Sequence, residues 1–135
     1  MKRMVLALAL ALTMCGSALP AMAVDTSDLA PADQYFGHLK MSILGIRNSL
    51  KDLSASLDVH PENADHIFDK AVLVEDALRD WQSKYPRDPW IPRYTFSLAQ
   101  LYDKIQTDDA RVRSHETMQW LIATYPESEF AQLDQ

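Results

Sequence analysis

Apolar residues at Phe36, Leu39, Ile43, Ile46, Leu50, Leu53 and Leu57 are separated alternately by three and four positions. That spacing marks one face of a helix, since a strand would show its buried face every second residue. It predicts a first helix starting near Pro31, whose missing N–H suits a first turn. The average period of 3.5 residues predicts near-parallel packing against a long partner helix. Ser42, Gly45 and Ser49 form a stripe of small residues on the same helix. A helix-interior glycine costs about 1 kcal/mol relative to alanine. Gly45 therefore predicts close approach of a neighbouring helix, with a ligand lying on exposed backbone as the alternative. The pattern breaks over residues 58–63, and Pro61 opens a second helix with its stripe at Ile67, Ala71, Val74, Leu78, Trp81 and Tyr85. Phe68, Val72, Leu73 and Ala77 widen that face and leave a polar strip at Asp65, Asp69, Asp76 and Asp80. A helix so broadly apolar expects neighbours on two sides, which makes it the predicted central helix.

Residues 81–90, WQSKYPRDPW, form a corner. Pro86, Pro89 and Pro92 each lack an amide hydrogen and each restrict the preceding residue, so the second helix stops at Tyr85 and Pro92 opens a third. The third helix, over about 92–106, places Tyr94, Leu98, Leu101, Tyr102 and Ile105 on one face and Phe96 on another. Thr107 with Asp108 and Asp109 supplies a cap and an acidic first turn for a fourth helix. Its inner side carries Ala110, Ser114, Met118, Leu121, Ile122 and Tyr125, and Trp120 projects about 100° away from Leu121. Tyr125-Pro126 repeats the stop signal of Tyr85-Pro86. The expected fold is all-α, with four principal helices arranged as two antiparallel hairpins.

The chain opens on Met1-Lys2-Arg3, an apolar run and Ala21-Met22-Ala23. This is the pattern of a cleaved signal peptide over 1–23, too short in its apolar core to span a bilayer. A flexible N-terminus over 24–30 and a single helical domain over 31–135 are expected to follow, in a periplasmic or secreted protein. The alternative is a lipoprotein acylated at Cys15, although Met14 stands where a lipobox has a small residue. Without Lys2 and Arg3 the chain has 11 basic and 19 acidic residues, a net charge of −8. Nucleic acid and anionic membranes would repel it, so neither is an expected partner unless Cys15 carries lipid. The one cysteine falls in the leader, which leaves no expected disulfide or thiolate site.

The third and fourth helices, with Leu98-Ala99-Gln100-Leu101-Tyr102, a tight turn and a closing Tyr-Pro, resemble a tetratricopeptide-type (TPR-like) repeat over about 92–131. The resemblance would match Ala99 and Tyr102 to the small and aromatic residues of the repeat's first helix and Pro126 to its terminal proline. Residues 125–131 are similar to repeat ends of periplasmic tetratricopeptide lipoproteins that scaffold envelope assembly. The resemblance implies a surface for binding another protein. The two Tyr-Pro signals lie 40 residues apart, longer than the usual period of about 34, so a plain four-helix bundle is the alternative arrangement.

Asp58, His60, Glu62, Asp65, His66 and Asp69 are the densest group of potential metal ligands, but they match no zinc or calcium spacing and read as a solvated helix start. A ligand- or metal-responsive bundle is therefore the alternative function. His38 and His115 have no carboxylate or serine at a spacing that implies a proton relay, and no serine sits in a nucleophile motif. No catalytic residue, metal ligand or cofactor is assigned. Four residues are left over as candidates for partner binding: Phe96 and Trp120, which fall off the predicted inner faces, and Trp90 and Arg93 at the corner. Exposed tryptophan offers a large apolar anchor. The expected function is a small exported interaction or scaffold module of the cell envelope, with self-association left open.

Overall fold

The computed structural model describes residues 26–133. The signal segment, Cys15 and the first two residues after the expected cleavage site lie outside the described residues. Four helices make the fold: α1 (Ile43–Val59), α2 (Ala64–Lys84), α3 (Trp90–Ile105) and α4 (Asp108–Thr124). A short α5 (Glu129–Gln132) follows, and a two-stranded antiparallel hairpin, β1 (Tyr35–Phe36) and β2 (Met41–Ser42), precedes α1. The fold is all-α apart from that hairpin.

α3 is the element packed against α1, α2, α4 and α5, so it takes the central place expected of α2. The second helix does bury its broad face, from Ile67 through Trp81. What periodicity could not show is that α3 buries two faces. Leu98, Leu101, Tyr102 and Ile105 enter the main core, while Ala99 faces a second cluster with Met118, Leu121 and Ala131.

Three helix ends share one construction. His60, Tyr85 and Tyr125 each end a helix at nearly the same dihedrals (φ −131, −134 and −130°; ψ 65, 65 and 57°). Each donates its N–H at 2.8 Å to the carbonyl four residues back, and each precedes a proline. A residue before proline is disfavoured from helical geometry, and all three residues have left the helical region. The third residue after each, Asn63, Asp88 or Ser128, donates its N–H to the carbonyl of His60, Tyr85 or Tyr125 itself at 3.0–3.1 Å. At the second and third corners this residue also starts the next helix. Asp88 Oδ1 accepts from Trp90 N at 3.0 Å and Ser128 Oγ from Phe130 N at 3.3 Å, 40 residues apart.

The second corner is the buried one. Asp88 is almost fully enclosed, and its Oδ2 accepts from the Trp81 indole at 3.1 Å and from Ala30 N at 2.9 Å. Residues 26–30, expected as a flexible lead-in, are fastened here by the Ala30 bond and by an Asp28–Arg87 ion pair at 2.6 Å. A second buried carboxylate, Glu75, joins three helices. It accepts from Tyr102 Oη at 3.0 Å, from Arg79 at 2.8 Å and from Arg113 at 3.4 Å. Burial first, and the Glu75 charge second, push the Tyr102 phenol far above its ordinary range.

The first helix starts at Ile43, and the stretch before it turns back on itself, contrary to the stripe that ran through Phe36 and Leu39. Gly37 (φ 68°) and Lys40 (φ 52°) adopt left-handed conformations that a helix cannot hold. A Cβ at Gly37 would lie 2.7 Å from Asp76 Oδ2 and 2.8 Å from Ala77 Cα, so the turn presses directly onto α2. Asp80 accepts from Gly37 N and Asp76 from His38 N, each at 2.8 Å, which explains two members of the polar strip. Asp76 also pairs with the His38 ring at 2.8 Å, a carboxylate that sequence spacing did not reveal. Phe36 consequently enters the core and stacks on Trp81 with centroids 5.5 Å apart, while Leu39 is left exposed. Gly45 meets no neighbouring helix, contrary to expectation. It lies in the first turn of α1, where its N–H bonds the Ser42 cap at 3.0 Å and a Cβ would meet Ser42 Oγ at 3.3 Å.

Replacing Asp88 with alanine strands a buried indole N–H and removes a helix cap, so Asp88→Ala is expected to destabilise by about 2–4 kcal/mol. Ser128→Ala, which loses one cap bond, should cost about 1 kcal/mol or less. Urea unfolding of the two variants gives the comparison, and equal losses would remove the special role of the buried corner. The hairpin contact should depend on acid. The hydrogen bonds from His38 and its amide hold Asp76 below its ordinary value of 3.8, and those from Lys84 and Gly37 do the same for Asp80. A depressed folded-state pKa contributes stability that is complete above about pH 4 and disappears as pH falls through the folded value. The amide proton shifts of Gly37 and His38, followed by NMR from about pH 6 to about pH 2, should titrate with midpoints below 3.8. A midpoint at or above 3.8 would contradict the docking geometry.

Candidate interaction groove

α1 and α3 lie side by side, and the outward surface between them is a half-open groove of about 890 Å³. α1 contributes Leu44, Arg47 and Lys51, and α3 contributes Trp90, Arg93 and Lys104, each set at the helical spacing that keeps it on one side. Ile43, Leu50, Tyr94 and Leu101 form the apolar floor. Leu29 and Ala30 close the end nearest the corner, held there through the Asp88 bond. Lys104 closes the other end by reaching Asp58 at 2.7 Å and the Ser54 carbonyl and hydroxyl at 3.0 Å.

Trp90 is 46 % exposed, yet it is not loose. Its ring stacks on Tyr94 with centroids 6.3 Å apart and planes 19° apart, Tyr94 meets Trp81 at 6.0 Å, and Trp81 stacks on Phe36. A row of aromatics therefore runs from the groove surface into the core and sets the orientation of the outermost ring. The Arg93 guanidinium lies 5.8 Å from the Trp90 ring and 5.9 Å from the Phe130 ring, both within cation–π range. Leu44, 57 % exposed, faces the groove from the opposite helix.

The electrostatics of the groove differ from those of the chain, whose formal net charge is −6. Arg47, Lys51 and Arg93 form no ion pair among the described residues. Among the described residues the one acidic residue that lines the groove is Asp88, and its oxygens already accept three N–H groups.

Of the four residues singled out from sequence, Trp90 and Arg93 come together here. Phe96 instead packs on Phe130, centroids 5.7 Å apart, against the second core cluster. Trp120 sits between α4 and α2: Arg79 lies 4.2 Å above its ring and its indole donates to Gln82 Oε1 at 3.3 Å. Its position off the predicted stripe is explained by this second neighbour. The acidic and histidine group near residue 60 disperses. His60 pairs with Glu62 at 3.1 Å and Asp58 with Lys104, and among the described residues no three such side chains converge on one point.

Sequence reasoning missed Asp88, Arg47 and Lys51. Asp88 had a signal, because it occupies the third place after Tyr85 as the capping Ser128 does after Tyr125. Arg47 and Lys51 are an i, i+4 pair of like charge flanking Leu50, a costly arrangement on a plain helix surface. Comparison with known proteins finds no matching family model, no similar curated protein and no similar solved structure.

Proposed function

We propose that this protein is a small exported helical module that binds another protein through the α1–α3 groove. The observation carrying this reading is Trp90, a half-exposed tryptophan backed by a row of aromatics beside three cations that form no ion pair among the described residues. A preoriented aromatic anchor loses little freedom on binding, which is what interface hot spots require. The groove is within the size range of small-molecule sites, but its open side and length of about 21 Å along α3 suit a chain better than a compact ligand. Both buried carboxylates are saturated by donors, so they fit a structural role better than that of a general base. The tetratricopeptide-type reading is supported by the α3–α4 hairpin and by the shared hydrogen bonding of the corners at Tyr85 and Tyr125, although their spacing of 40 residues exceeds the usual period of about 34. Export is supported by the Met1-Lys2-Arg3 start and Ala21-Met22-Ala23.

Trp90→Ala is expected to change stability by about 1 kcal/mol or less while weakening association by roughly 2 kcal/mol or more. Trp120→Ala should do the reverse, losing about 1–3 kcal/mol of stability with association retained. Thermal unfolding supplies the first readout. For the second, a photocrosslinking residue at Gln100, exposed on the groove, should capture a defined partner in the cell envelope, and the same residue at Val112, exposed on α4, should not. Equal capture from both faces would sink the groove as the binding site. For export, intact mass should place the mature N-terminus at Val24; a diacylglycerol-bearing species beginning at Cys15 would move the protein onto a membrane.

A further inference from the structure

The groove's chemistry specifies its occupant more narrowly, if it is the binding site proposed above. Its floor is apolar, one end presents the Trp90 and Tyr94 rings, and its rims carry Arg47 and Lys51 on one helix and Arg93 on the other. Arg47, Lys51 and Arg93 have no ion-pair partner among the described residues, although six other cations of this acidic chain do, and the three lie together around one groove. Arg47 and Lys51 repel each other at i, i+4, a cost that an incoming anion would turn into attraction. A neutral apolar segment would leave the three charges partly desolvated without partners, and a basic one would be repelled by them.

We propose that the groove takes an acidic amphipathic segment of a partner protein, with carboxylates meeting Arg47, Lys51 and Arg93 and apolar side chains entering between Leu44 and Trp90. A groove of about 21 Å holds six or seven residues of extended chain at about 3.3 Å each. The two arginines can bind carboxylates bidentately, whereas Lys51 contributes as a point charge.

The test uses the full mature chain and two synthetic peptides, each about eight residues long, one alternating glutamate with leucine and the other lysine with leucine. Binding is followed by tryptophan fluorescence, with Trp90→Phe as the control that the signal comes from the groove. The glutamate peptide should bind and the lysine peptide should not. The double charge reversal R47E/K51E should weaken the glutamate peptide about 10-fold or more and create affinity for the lysine peptide, a gain that misfolding cannot produce. Raising salt should weaken the wild-type interaction. Equal binding of both peptides, or glutamate-peptide binding unaffected by R47E/K51E, would overturn the proposal. A fluorescence response to dodecanoate but to neither peptide would also overturn it, in favour of a small amphiphilic anion. If neither peptide binds while crosslinking from Gln100 still captures a partner, the acidic specificity fails and the interaction module stands. If that capture fails as well, both fall.

Discussion

The structure depends on one buried carboxylate at a corner. Asp88 satisfies the Trp81 indole inside the core, caps α3 through Trp90 N, and fastens the N-terminal segment through Ala30 N. An isolated charge enclosed in apolar surroundings would be costly, and three N–H donors are what make this one tolerable. The corner thereby couples the largest core side chain to the start of the helix that forms one wall of the groove. Breaking it would disturb core packing, helix direction and groove closure together.

Glu75 does the corresponding work at mid-height. By accepting from Tyr102 on α3, Arg79 on α2 and Arg113 on α4, it specifies which faces of three helices meet. Apolar packing alone tolerates some sliding between helices, whereas a buried charged group has few positions that satisfy it. Arg79 then extends the network outward by lying over Trp120, so a tryptophan placed off its own helix's stripe becomes part of the α2–α4 contact. The core and the groove are linked through the aromatics in a similar way. The row through Phe36, Trp81 and Tyr94 is why Trp90 can be exposed and still oriented.

Much of this was legible in the chain. The periodicity of α2, the stop at Tyr85, the cap at Thr107 and the repeated Tyr-Pro corners are local properties, set by side-chain spacing and by proline's missing donor within a few residues. Trp90 and Arg93 were legible from their place at the corner. Phe96 and Trp120 were surplus to the predicted inner faces, yet both are engaged by neighbours, because a helical projection knows one partner and these helices have two or more.

The limit of local reasoning is clearest before α1. Phe36 and Leu39 continue the spacing of the helix that follows, and nothing within a few residues forbids helix there except Gly37 at about 1 kcal/mol. The decision belongs to Asp76 and Asp80, some forty residues away, whose carboxylates accept the hairpin's N–H groups and hold its turn against Ala77. The sequence by itself determined the four helices, the stops of α1, α2 and α4, the cap of α4 and the all-α class, since these follow from interactions between near neighbours. Only the tertiary structure decided the hairpin, the centrality of α3 and the gathering of Arg47, Lys51, Trp90 and Arg93 around one groove, because each requires groups from distant parts of the chain to meet.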